Sequence, residues 1–317
     1  MVREARISAT VQPQATFRQM MVRPVSFGFN AETSGSNVFQ KADNATADIA
    51  AASVKEFDNM VTTLTTNGVE VTVFDDKPEI NSPDAVFPNN WVSLHQSGKV
   101  VLYPMMAENR RRERRLDIID SLRDRFHVEE IIDLSHFEQE GLYLEGTGSM
   151  VLDRRYKIAY AALSPRTDQK PLDAFSEALG YEIVSFHASD AGDVPVYHTN
   201  VMMCVGDGFA VVCLKAVKNE DERYRLLRTL EDTGKEVIEI YPGQLNSFAG
   251  NMLMVRSRTG EKLMVMSTAA FQSLTGYQRT LLEEYVSRIL YVDLPVIESV
   301  GGGSARCMLT EIHLPLK

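Results

Sequence analysis

A chain of 317 residues, 44% apolar and 24% charged, has the make-up of a folded globular protein and room for one large domain or two small ones. That balance excludes a disordered, collagen-like or disulfide-stapled chain. Thirty-three Lys and Arg against 43 Asp and Glu leave a formal charge of −10, which repels polyphosphate and argues against nucleic-acid or anionic-membrane partners.

Three cysteines (Cys204, Cys213, Cys307) form an odd set without CxxC spacing. They point to a reducing compartment and to no obvious zinc site. The first residues lack the apolar core of a secretory signal, and no run of 18 apolar residues crosses a bilayer. The expectation is a cytoplasmic protein.

In chain order, Phe17–Val22 reads as a strand, Asp43–Thr66 as a helix ending at Asn67-Gly68, and VEVTVF as a second strand. AVFPNNWVSLHQSGKVVLYPM reads as a hairpin turned at Gln96-Ser97-Gly98-Lys99. A charged helix over Asn109–Phe126 and the strand HVEEIIDL follow it. GSMVLDRRYKIAYAAL is a hairpin turned at Asp153-Arg154-Arg155, followed by a helix over Pro171–Leu179 stopped by Gly180 and the strand YEIVSF. NVMMCVGDGFAVVCLKAV turns at Gly206-Asp207-Gly208, where glycine or aspartate is expected to supply positive φ. Its helix spans Asn219–Asp232 and its strand is EVIEIY. GNMLMVRSRTGEKLMVMS turns at Thr259-Gly260, with a helix over Thr275–Leu290 and the strand YVDLPVI. The first unit lacks one hairpin partner, which the C-terminal strand is expected to supply.

The turns at Gly98, Arg155, Gly208 and Gly260 are 57, 53 and 52 residues apart. That period predicts an α/β propeller of repeated units rather than a doubly wound sheet. No Pro-, Gly- or Ser-rich linker interrupts the chain, so residues 1–317 read as one domain. Five units around an axis bring SPDAVFPNNW, LEGTGSM, VYHTNVMM, LNSFAGNM and GGGSARCML to one face, where loops on a rigid scaffold carry function.

Within those segments Cys307 follows Gly301-Gly302-Gly303, an open backbone beside a thiol where a substrate can approach. A lone Cys is most often a small buried hydrophobe, and Cys204 and Cys213, inside apolar strands, fit that description. His198 is the one histidine of the five segments and the natural base for Cys307. Glu145 suits the third role, fixing the histidine's tautomer. Gly146-Thr147-Gly148 lacks the third glycine of a dinucleotide fingerprint. NRRRERRLD reads as a solvated helix start, not a nucleic-acid site.

Together Asp84-Ala85-Val86-Phe87, Leu144-Glu145-Gly146, Ser164-Pro165-Arg166-Thr167, Tyr197-His198 and Gly301 to Cys307 resemble the guanidino-group-modifying superfamily. Its members include arginine deiminases, dimethylarginine hydrolases, agmatine deiminases and amidinotransferases. The resemblance spans nearly the whole chain and implies the pentein fold, five ββαβ-type units around a pseudo-fivefold axis. It implies Cys307 as nucleophile, His198 as general acid/base with Glu145 as partner, and Phe87 packing on a planar substrate head. Arg166 would pair with a substrate α-carboxylate, Arg110 or Arg111 would assist, and Asp84 would receive an α-amino group.

Guanidinium-cleaving relatives carry acids where this chain has Asn90 and Asn200, and EGTGS stands where many have EGGD. An amide offers a donor and an acceptor and no charge, so it suits a neutral ureido group better than a guanidinium. The expectation is therefore a Cys-dependent hydrolase of a citrulline-like ureido amino acid, similar to citrulline-utilisation hydrolases. Arginine or methylarginine hydrolysis, amidino transfer and a non-catalytic binding pentein are the alternatives. No metal or organic cofactor is expected; the partner is a small amino-acid substrate, and the sequence is compatible with homo-oligomers. Ser26–Ser36 is a candidate lid.

Overall fold

The computed structural model describes residues 12–37, 39–40, 46–79, 81–190 and 192–317. Its unit is a central strand with an antiparallel partner on one side and a parallel partner on the other. In the first, β1 (Arg18–Arg23) pairs in parallel with β2 (Glu70–Asp75). The second contains β3 (Val92–Leu94), β4 (Lys99–Leu102) and β5 (Glu130–Asp133), and the third β6 (Val151–Asp153), β7 (Ile158–Leu163) and β8 (Glu182–His187). The fourth has β9 (Met203–Val205), β10 (Phe209–Val212) and β11 (Glu236–Glu239). The fifth has β12 (Leu253–Arg256), β13 (Lys262–Ser267) and β14 (Arg288–Val292). The C-terminal β15 (Thr310–Glu311) completes the first sheet, antiparallel to β1 with Met20 opposite Thr310. Among the described residues this makes five three-stranded sheets, as the sequence period requires.

Within each unit the centre-to-parallel-edge connection is a helical crossover, because parallel neighbours need a long return. The five crossover helices are Thr46–Thr66, Leu116–Arg123, Gln169–Leu179, Glu220–Asp232 and Gly276–Tyr285. Each is punctuated by local chemistry where the sequence supplies it. Asn219 caps Glu222 N, Thr275 and Gln278 form a capping box, and Gly180 closes its helix at φ 71°. The inner strands β15 and β3, β6 and β9, and β9 and β12 pack beside one another. This gathers the inner edges of the sheets towards a common axis.

Several predicted boundaries differ. The charged helix begins only at Leu116; Asn109–Glu113 is a separate 3-10 turn. The fifth helix ends at Tyr285, and Leu290 belongs to β14, where buried Leu290 and Val292 flank exposed Tyr291 as in a strand. The turn after Asp153 is longer than expected, with Lys157 at φ 55°. Neither Gly206 nor Gly208 has positive φ. Gly206 is bare because a Cβ there would lie 2.1 Å from the Phe209 ring. The start of the predicted Asp43–Thr66 helix lies outside the described residues.

Apolar residues fill the space between sheets and crossover helices, and charges also enter the interior. Lys235 Nζ sits 2.6 Å from Asp153 with both side chains almost wholly buried. Lys235→Ala should therefore leave a buried unpaired carboxylate and lower unfolding stability by about 3–5 kcal/mol. Urea denaturation measures this, and a loss below about 1 kcal/mol would mean that the pair is solvated. No described helix is long and apolar enough to cross a membrane.

Candidate active site

Short turns ahead of the inner strands bring the site together. Pro88–Asn90, Gly146–Ser149 and Thr199–Met202 each form one helical turn, with Phe87, Glu145 and His198 at their N-terminal ends. The narrow crevice they border opens to solvent and is lined by Asp84, Phe87, Asn90, Arg110, Arg166, Tyr197, His198 and Cys307, together with Asn37 and the three glycines. Thus the sequence-predicted residues converge, with Glu145 directly behind His198 and Asn200 against the sulfur.

Cys307 is 3% exposed and packs on one side in the apolar cluster of Phe87, Ala305 and Met308, yet two amides reach its sulfur. Asn200 Nδ2 donates to Sγ at 3.5 Å and Asn251 Nδ2 at 3.2 Å. Cys204 and Cys213 lie in the apolar core, where burial pushes their thiols up to about 12 and about 11.

His198 Nε2 lies 2.8 Å from Glu145 Oε2. Glu145 is fully buried and also accepts from Met106 N and from Arg166 Nη1, with Arg110 Nη1 at 3.7 Å. Burial alone would raise its pKa, but Arg166, His198 and Arg110 overcome this and hold the carboxyl well below the usual range. An ionised Glu145 accepts only, so Nε2 carries the hydrogen and Nδ1 keeps its lone pair. For His198, burial dominates over the attraction of Glu145 and lowers its pKa to about 4. The imidazole is therefore neutral at pH 7, as a base must be.

Glycines make this proximity attainable. A Cβ on Gly148 would lie 2.4 Å from Asn90 Nδ2 and 2.8 Å from His198 Nδ1. The EGTGS segment that failed as a dinucleotide motif is thus a seat for those two side chains. The triple glycine lines the crevice and has a further reason besides the expected one. Gly301 and Gly303 lie against Phe87, where a Cβ would come within 3.0 and 2.8 Å of its ring. Those glycines also admit the aromatic wall of Phe87.

The arginine segment corrects the sequence expectation. NRRRERRLD is no solvated helix start at Arg110, which is 2% exposed. Its guanidinium is held bidentately by Glu113 (3.0 and 2.9 Å), donates to Asn90 Oδ1 at 3.0 Å and lies 3.6 Å from Asp84. Arg111 instead reaches the Met105 carbonyl and Glu138, so Arg110 is the arginine of the site. Burial raises the Glu113 carboxyl to about 7 against the pull of Arg110. Burial likewise raises Asp84, opposed by Arg110 and by Asn30 Nδ2, which donates to Oδ2 at 2.8 Å.

Arg166, expected to meet a substrate carboxylate, is already engaged. It donates to Ser36 Oγ, the Thr33 carbonyl and Glu145. The candidate lid Ser26–Ser36 is therefore tied to the site at Asn30, Thr33 and Ser36. Asn251 was not singled out from the sequence. Its signal is positional: Asn90, Ser149 and Asn251 each stand two residues before the first strand of a unit.

A family model described as N,N dimethylarginine dimethylhydrolase, eukaryotic, matches residues 23–314. No protein of curated function matches the sequence. Among solved structures, the chain is similar to the substrate-bound N-terminal domain of ArgZ, an arginine dihydrolase from the ornithine–ammonia cycle in cyanobacteria. The TM-score is 0.74 at 17% identity over 94% of this chain and 98% of that one. Unliganded AgrE gives 0.73 at 18% identity over 95% of this chain and 40% of that one. A dimethylarginine dimethylaminohydrolase carrying an S-methyl-L-thiocitrulline adduct gives 0.63 at 17% identity, covering 93% and 99%. These likenesses establish the shared fold. With the family match running almost from β1 to the C-terminus, the chain belongs to the N,N-dimethylarginine dimethylhydrolase family, cysteine-dependent hydrolases of non-peptide C–N bonds within the guanidino-group-modifying pentein superfamily.

Proposed function

We propose that this chain, acting as one catalytic domain, hydrolyses a terminal C–N bond of an amino acid's ureido or guanidino group, with a ureido head favoured. Cys307 is the nucleophile, His198 the acid/base and Glu145 the group that orients it. His198 Nδ1 takes the proton of the Cys307 thiol, the resulting thiolate attacks the trigonal carbon, and His198 returns that proton to the departing nitrogen as the C–N bond breaks. Water then gives its proton to His198 Nδ1, the hydroxide adds to the adduct, and the C–S bonding pair returns to sulfur. Phe87 forms the apolar wall against the planar head, and Asn200 sits beside the reacting sulfur.

The ureido preference rests on Asn90. Arg110 only donates, so Asn90 must turn Oδ1 to it, leaving Nδ2 buried without a hydrogen-bond partner among the described residues. A ureido carbonyl satisfies that N–H, whereas a guanidinium carries only donors. One observation favours the guanidino alternative: Asp84 Oδ1 is likewise buried and unpartnered, an acceptor that suits a cationic head as well as an α-amino group. Family membership supports the same alternative.

An ammonia- and amine-release screen over citrulline, arginine, dimethylarginine and agmatine separates these readings. Citrulline should be preferred over arginine. Asn90→Asp with Asn200→Asp should move the ratio of kcat/KM towards arginine by about ten- to a hundredfold, the worth of a charge-assisted hydrogen bond. A native protein that prefers arginine or dimethylarginine overturns the ureido preference but leaves the Cys307 chemistry standing.

A further inference from the structure

We propose that Asn251 is a catalytic residue that stabilises the Cys307 thiolate, a role that rests on Cys307 being the nucleophile. The amide is fully buried, and its orientation is dictated by its neighbours. Oδ1 accepts the Arg306 backbone N–H at 3.1 Å, a group that can only donate, so Nδ2 faces the sulfur. One Nδ2 hydrogen goes to the Asn200 carbonyl at 3.0 Å, and Sγ is the other acceptor, at 3.2 Å. A neutral thiol is a weak acceptor and a thiolate a strong one, so a buried N–H committed to sulfur favours the charged form.

The local sequence is built for this contact. A Cβ on Gly250 would lie 2.4 Å from the Val201 carbonyl, so a bare residue there lets the Asn251 loop close on the Asn200 turn. Asn200 Nδ2 supplies a second donor to Sγ, so two amides flank the sulfur. Their effect enters twice in the cycle. Before attack the pair holds the electron pair on sulfur ready for the carbon. When the C–S bond of the adduct breaks, it receives the returning thiolate.

The test is the pH profile of Cys307 alkylation by iodoacetamide, which needs no substrate. Asn251→Asp keeps the acceptor for Arg306 N–H but removes the donor to sulfur. Asn251→Ser removes it without adding charge, and serves if the acidic variant does not fold. The other charged and titratable groups around the sulfur are His198, Asp84, Arg110, Arg166 and Tyr197 in the crevice and Arg306 on its own loop; neither variant changes them.

Either variant should move the alkylation midpoint up by about one to two pH units. Activity at pH 7 should fall about ten- to a hundredfold and recover as pH rises. A purely structural role would lower activity equally at all pH values. An unmoved midpoint in a folded variant overturns the role of Asn251 alone. If native Cys307 reacts no faster than Cys204 and Cys213, this proposal and the nucleophile assignment both fall.

Discussion

Cys307→Ser should lose turnover by about 10⁴-fold or more while retaining its fold. The substitution exchanges one γ atom at a site whose neighbours are amide donors, so packing changes little. Reactivity changes greatly, because serine's hydroxyl is ionised far less than a thiol and is a much weaker nucleophile in a site shaped around sulfur. Release of ammonia or amine measures the loss, and circular dichroism with thermal melting confirms the fold. A selective thiol label gives the complementary result in the native protein. Cys307 lines the crevice, whereas Cys204 and Cys213 are core thiols raised by burial, so labelling should be confined to Cys307. Residual activity near the native level in the serine variant would remove the covalent mechanism.

The second large effect is expected at Glu145. Glu145→Gln keeps the shape but can place an N–H against His198 Nε2, which selects the wrong tautomer and takes the lone pair away from Nδ1. The same change in a nucleophile–base–acid triad lowers kcat about 10⁴-fold. Here the carboxylate also balances Arg166 and Arg110, both nearly fully buried, so stability should fall by about 3–5 kcal/mol. Denaturation separates that loss from the kinetic one, and a folded variant with near-native kcat would exclude the orienting role.

His198 itself offers a direct reading of these electrostatics. In labelled Cys307→Ser protein, its imidazole should titrate near pH 4 rather than 6.5, because burial outweighs the pull of Glu145. The depressed value means that the unfolded chain takes up this proton first as pH falls. The stability that His198 contributes is therefore complete above about pH 6.5 and is lost through the window down to pH 4. Removing the carboxylate in Glu145→Gln should lower the titration further. A native midpoint at or above 6.5 would mean a solvated ring or a dominant ion pair.

The repeat was legible because it is written in local chemistry. Alternating apolar strands, turn glycines at 98 and 260, the Asn219 and Thr275 caps and the Gly180 stop each act within a few residues. Cys307, His198 and Glu145 were legible through their places at the starts of repeated hairpins, supported by the superfamily resemblance. Arg110 was not. A run of arginines looks like solvated charge until Glu113, Asp84 and Asn90 surround one of them. Gly206 was misread for a related reason: its constraint is the ring of Phe209 across the turn rather than its own dihedral angle.

By itself, then, the sequence determined the units, their order and the residues presented on one axial face, since these follow from periodicity and capping. Only the tertiary structure decided which atoms of those residues are free. Arg110 fixes the orientation of Asn90, Ser36 and Thr33 occupy Arg166, and Arg306 turns Asn251 towards the sulfur. Each of those choices is made by a partner distant in sequence, or by the burial that removes water as an alternative, and neither is encoded in local pattern.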